Sequence, residues 1–170
     1  DILSSSTQQT HRIRIAVPPS DTSVKESRAY PVIYLLDSNG YFDLFVDMVG
    51  LLNMTGDLPP IVIVGIGYPV DNFAQTIPLR LRDYSPVRDI PHESLVRKLL
   101  KNPDVTTGKA AAFLTFINTE LKQVIHEGYP VDNDNAALFA HSLGGLFALH
   151  VLLEEPESFK RYCVLSPAIV

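Results

Sequence analysis

One cysteine, Cys163, stands alone in 170 residues. It excludes an intramolecular disulfide framework and any multi-cysteine metal site. No apolar run reaches the ~18 residues that a membrane-spanning helix needs. Basic residues are in the minority, with 14 Lys and Arg against 19 Asp and Glu and a formal charge of −5. Nucleic-acid binders usually present a basic surface, so this balance points away from them. No histidine pair has the spacing of metal ligands. The Gly144-Gly145 pair follows a serine and has no lysine, so it is not a phosphate-cradling loop. No internal repeat or low-complexity tract is present. Expected cofactors and metals are therefore none, and a small-molecule partner is expected rather than nucleic acid or membrane.

Hydrophobic residues make up 46% and charged residues 19%, as in a folded globular chain. The length suits one domain with a real core. The first residue is Asp1 rather than Met. A cleaved signal peptide, a trimmed tag or a fragment boundary would all look the same, so cytoplasm and export both stay open.

Alternation in Ile13, Ile15 and Val17 predicts a strand. Residues 2–17 read as two strands joined near Gln8-Gln9, and Pro18-Pro19 ends the second because proline lacks an N–H. Residues 20–29 read as a polar loop. Continuous apolar runs at 32–36, 61–67, 136–140 and 162–166 predict strands covered on both faces. Helical spacing predicts helices over 41–53, 108–127 and 143–155, with a short one at 92–101. Thr107 is the expected cap of the 108–127 helix. Residues 68–105, with five prolines, read as an irregular functional stretch or lid. Alternating strands and helices imply a mostly parallel sheet between two helical layers, with its site at the strand C-termini.

The chemical centre is Ala140-His141-Ser142-Leu143-Gly144-Gly145, between a buried strand and a buried helix. A nucleophilic serine on so sharp a turn needs small residues two before and two after it. Ala140 and Gly144 are small, although glycine is usual where Ala140 stands. Ser142 is the candidate catalytic residue, and the Leu143 N–H is one candidate oxyanion donor. The competing reading makes Ser142 a helix cap. A second donor is expected from Asp37-Ser38-Asn39-Gly40-Tyr41, with the Asn39 N–H first and Gly40 next; these are also ordinary turn residues. Arg80 and Arg82 suit binding of an acidic or catecholate-like substrate group, or pairing with Asp83 or Asp89. Tyr41, Phe42 and Tyr68 are candidate pocket residues.

Three segments carry a family resemblance: Tyr34-Leu35-Leu36-Asp37, Arg80-Leu81-Arg82-Asp83-Tyr84-Ser85-Pro86, and Thr107 through the elbow to Ser166-Pro167. In this order they resemble the Putative esterase branch of the α/β hydrolases, which includes trilactone-type siderophore esterases (IroE-like) and relatives of esterase D. The resemblance spans roughly residues 2–168. It implies a three-layer α/β-hydrolase sheet and cleavage of small-molecule carboxylic esters through an acyl-serine. It also implies an oxyanion pair from the Leu143 N–H and one N–H in the loop holding Asn39.

An orienting acid and a histidine normally follow the serine in such a chain. Here the residues after Ser142 contain one histidine, His150. It lies about 12 Å farther along the same helix and cannot reach. Of the earlier histidines only His92, in the irregular stretch, stays open. The expectation is therefore the N-terminal part of a single hydrolase domain, 1–170, cut after the sixth strand. Its last strands, acid and histidine would be missing; a naturally shortened relative is the alternative. The strand at 162–166 would then be an open edge that invites self-association. An incompetent hydrolase-like domain acting in binding or assembly is the rival function. Thioesterase and acyl-transferase chemistry would use the same parts.

Overall fold

The computed structural model describes residues 1–19 and 29–169. The polar loop expected at 20–29 falls, apart from residue 29, outside the described residues.

Among the described residues six strands form one sheet: β1 (Ile2–Leu3), β2 (Thr10–Ala16), β3 (Tyr30–Leu35), β4 (Val62–Gly67), β5 (Val131–His141) and β6 (Arg161–Leu165). Their order is β1-β2-β4-β3-β5-β6. β2 runs antiparallel to β1 and β4, while β4, β3, β5 and β6 are mutually parallel along the sheet. The helices are α1 (Ser38–Met54), α2 (Ile77–Tyr84), α3 (Ile90–Leu100), α4 (Ala110–Thr115), α5 (Lys122–Gly128) and α6 (Leu143–Glu154). A π-helical turn, Phe116–Leu121, joins α4 to α5.

The strands alternate between two cores, as their pleat requires. On one face Val32, Tyr34, Val62, Val64, Ile66 and Leu138 meet Phe113, Phe116, Ile117 and Leu121 of the α4–α5 helix and Phe147 and Val151 of α6. On the other, Leu35 and Ile63 meet Phe42, Phe45 and Val49 of α1. The mostly parallel three-layer arrangement is thus present. α1 lies directly on β4 because Gly65 has no side chain. A Cβ there would stand 2.4 Å from the Phe42 ring and 2.7 Å from the Ser38 Cβ.

Three local expectations are corrected. The stretch after β4 is not irregular throughout: Ile77–Tyr84 is a helix, begun by Pro78 in its first turn, where a missing N–H costs nothing. Thr107 does not cap the following helix. Its N–H and hydroxyl both donate to Glu93 Oε1, at 3.0 Å each, and its hydroxyl accepts the Asp89 N–H. Burial penalises the Glu93 charge, but these bonds and Arg88 outweigh it and hold the carboxyl below its ordinary range. Finally, β5 starts at Val131 rather than Ala136, with a register shift opposite Pro31-Val32.

The serine-rich β1–β2 turn is anchored rather than loose. Glu120, in the π-helical turn, accepts the N–H groups of Ser5 and Ser6 and the hydroxyls of Ser4, Ser5 and Ser6. These bonds outweigh the burial that opposes its charge and bring its carboxyl down to about 2. Beside it, His11 is fully buried and stacked on Phe116 at 4.4 Å, with its Nε2 2.9 Å from the Thr7 hydroxyl. Burial lowers its pKa from 6.5 to about 4.

Between those two values the unfolded chain binds a proton at His11 that the folded chain does not. Stability is therefore complete above pH 6.5 and falls as the pH drops toward 4. The loss expected from this residue is on the order of 3 kcal/mol. Below 4.5 the loss of the Glu120 anchor follows. Thermal melts across this range should show a shallower decline for His11→Phe than for the natural chain. Parallel curves would rule the histidine out as the cause.

Candidate active site

β3 and β5 are neighbours and parallel, with Leu35 opposite Phe139. The Leu36 N–H donates to the Phe139 carbonyl at 3.1 Å, extending the pairing to the strand ends. Each strand is followed by a helix, so the N-termini of α1 and α6 begin side by side. The first N–H groups of any helix lack intrahelical acceptors and attract negative charge.

Ser142 stands between β5 and α6 with φ 56° and ψ −119°. That backbone is sparsely populated for a residue bearing a Cβ, and it persists only where its surroundings enforce it. Here they do. The Ser142 N–H donates to the Leu165 carbonyl at 3.0 Å. Its own carbonyl accepts the N–H groups of Leu146 at 3.1 Å and Ala168 at 2.9 Å. The chain after β6 thus grips the turn. Gly145 allows this approach, since a Cβ would lie 3.0 Å from the Pro167 Cα. Ala140 is buried beneath the turn. A Cβ on Gly144 would lie 3.3 Å from the Asp37 Oδ2. The side chain of Ser142 makes no capping bond to α6. Leu143 is the first residue of α6, so its N–H belongs to the free first turn.

Opposite it, Asp37 adopts the left-handed conformation, φ 59° and ψ 35°, immediately before α1. Its carbonyl accepts the Gly40 and Tyr41 N–H groups. Asn39 lies in the first helical turn, and its side-chain amide pairs with the backbone of Tyr68. Its Nδ2 donates to the Tyr68 carbonyl and its Oδ1 accepts the Tyr68 N–H, both at 2.8 Å. A Cβ on Gly67 would come within 2.4 Å of that Oδ1. The Asn39 amide therefore holds this turn in place, leaving its backbone N–H for other use.

The other candidates fall in different settings. The Tyr41 hydroxyl lies 3.3 Å from His141 Nδ1, and both line an apolar cavity of about 290 Å³ with Leu44, Met48, Phe139 and Leu165. Phe42 belongs to the core beneath α1. Tyr68 is buried and its hydroxyl donates to Asp83 at 3.0 Å; burial, with nearby Tyr84 and Asp83, pushes its pKa well up. Arg82 forms a two-pronged pair with Asp83, at 2.7 and 2.8 Å, as the pairing alternative foresaw. Arg80 pairs in the same way with Asp37, a partner the sequence reading did not single out. A buried carboxylate directly after an apolar strand was the available signal.

The histidines are scattered. His11 is locked in the core and His126 is exposed near the end of α5. His150 lies two turns along α6. His92, exposed at the start of α3, lines a cavity of about 360 Å³ with Leu143, Leu146, Ala168 and Ile169. Among the described residues no group of three His, Cys, Asp or Glu side chains could hold a metal ion, and no helix is long and apolar enough to cross a membrane.

The family profile described as "Putative esterase" matches residues 4–170. The ferri-bacillibactin esterase BesA of Bacillus subtilis is 36% identical over 170 residues, covering 95% of this chain and 54% of the relative. The crystal structure of the BES protein from Bacillus cereus superposes with a TM-score of 0.78 at 34% identity, covering 95% of this chain and 57% of that one. The enterobactin hydrolase IroE in complex with DFP superposes at 0.70 with 28% identity, covering 93% and 57%. The chain spans about half the length of the relatives it matches. On this match, and with an α/β sheet that carries a serine at its β5–α6 turn, the chain belongs to the Putative esterase family of α/β hydrolases.

Proposed function

We propose that the chain supplies the nucleophile and oxyanion hole of a serine esterase that cleaves carboxylic esters. The carrying observation is the enforced φ 56°, ψ −119° backbone of Ser142 beside two adjacent helix N-termini. In this reading the Ser142 hydroxyl oxygen attacks the ester carbonyl carbon, and its proton passes to a general base. The carbonyl oxygen becomes an oxyanion that accepts the N–H groups of Leu143 and Asn39; the Gly40 N–H, the next candidate in the sequence, is instead donated to the Asp37 carbonyl. Collapse expels the alcohol, which takes the proton, and leaves an acyl-serine. Water, giving a proton to the base, then attacks the acyl carbon; the carboxylic acid leaves and the proton returns to the Ser142 oxygen. Family membership supports this chemistry, as does the neighbour's complex with DFP, a serine-hydrolase inhibitor.

Two relatives are named siderophore esterases, for enterobactin in Emericella nidulans and for triacetylfusarinine C in Aspergillus fumigatus, so ester-linked siderophores are the proposed substrate class. Tyr41, which lines the cavity with His141, is the proposed contact for an aromatic substrate group. The general base and acid are assigned to residues outside 1–170, which makes this chain the N-terminal part of one hydrolase domain. The scattered histidines and the half-length match support that assignment. A binding or assembly role is the second reading, favoured by the same lack of a described histidine bonded to Ser142.

Hydrolysis of a trilactone siderophore and of simple aryl esters by the complete esterase distinguishes the two. Ser142→Ala should lower kcat by at least about 10³-fold. Equal turnover by the variant would exclude the acyl-serine, and undiminished binding without turnover in either would favour the second reading. Where residues 1–170 stand alone, the edge of β6 should pair with a second copy. Light scattering should then show association that grows with concentration, and a monomer at high concentration would contradict it.

A further inference from the structure

Arg80 would ordinarily be read as a substrate-binding cation, but its surroundings give it a different task. Both oxygens of Asp37 accept from its fork, Oδ1 from Nε at 2.6 Å and Oδ2 from Nη2 at 2.9 Å. The Asp37 side chain is 1% exposed and that of Arg80 is 13% exposed. The guanidinium carbon lies 5.3 Å from the Phe73 ring and 5.8 Å from the Tyr84 ring. The pair is therefore held in a walled site in which neither member can turn away cheaply.

Asp37 is also the residue that bends the chain from β3 into α1. It does so in the left-handed conformation without being glycine, and its side chain makes no capping bond to its own helix. The carboxylate that could have capped α1 instead points across to α2, with Oδ2 against Gly144 in the first turn of α6. One ion pair thus ties together the β3–α1 turn, α2 and the nucleophile's helix.

We propose that Arg80 is a positioning residue. It holds Asp37 in its left-handed turn so that the first N–H groups of α1 stand opposite Ser142. The proposal rests on the esterase reading above. Without the guanidinium the buried carboxylate has no charge partner, and the turn relaxes toward solvent or toward capping its own helix. Displacing a catalytic donor by about 1 Å can cost 10²-fold in rate. Lysine keeps the charge but not the two-pronged fork, so it should recover only part of the function.

The test compares Arg80→Gln, Arg80→Lys and Asp37→Asn with the natural protein, using the complete esterase and an uncharged aryl ester. Arg80→Gln should lower kcat about 10²-fold with KM changed little, and Arg80→Lys should fall between. A raised KM with kcat intact would make Arg80 a substrate contact and overturn the proposal. Unchanged kinetics with a lowered melting temperature would reduce the pair to a structural one and overturn it too. Backbone amide NMR gives a reading that needs no turnover. The Ser38, Asn39, Gly40 and Gly144 signals should move in Arg80→Gln and move less in Arg80→Lys; if they stay in place, the proposal is wrong. An inactive natural protein whose amides respond as expected would refute the esterase reading while keeping the positioning role.

Discussion

The parallel pairing of β3 with β5 sets the position of everything at the site. It brings two strand C-termini to the same level of the sheet, a few ångströms apart, as adjacent strands must be. Each strand hands over to a helix within a residue or two. The N-termini of two helices therefore start at the same end of neighbouring strands, and Ser142 occupies the turn before one of them. In the proposed reaction no added charge is required to favour an oxyanion there, because helix N-termini attract negative charge.

Such an arrangement needs close approach and enforced turns. Close approach comes from missing side chains. Gly65 and Gly67 let the first turn of α1 settle on β4, and Gly144 and Gly145 let α6 start against Asp37 and the chain after β6. The enforced turns come from hydrogen bonds reaching over long sequence distances. Ser142 is held by Leu165 and Ala168, Asn39 by the backbone of Tyr68, and Asp37 by Arg80. A second tier of buried carboxylates, Asp83 and Glu93, fixes α2 and α3 in the same way. Buried acids are costly unless fully bonded, so each is tied to particular partners, and the turn between elements follows.

Much of this was legible in the sequence, and what was not has a common cause. Strands buried on both faces announce themselves as apolar runs, and the small residues around Ser142 follow from the geometry of one local turn. α2 did not announce itself, because its eight residues include a proline and three charged side chains, and its helicity depends on packing against α4 and α6. Arg82 has its partner next door in Asp83, so the pairing could be read locally. Arg80 has its partner 43 positions away, which only the tertiary fold reveals. Thr107 looked like a cap because its neighbours form a helix, yet Glu93 of another helix claims its hydroxyl. His11 sits on a strand of mixed polarity, and its burial under Phe116 has no local signature. The general failure is in long-range polar pairing, where periodicity carries no information.

Covalent labelling of Ser142 tests the central claim most directly. Intact-mass measurement of the protein after treatment with DFP, followed by peptide mapping, gives an unambiguous reading. The account predicts one organophosphorus adduct, on Ser142, and none in Ser142→Ala. An adduct at another residue, or an unmodified chain under conditions that label a control serine esterase, would contradict it.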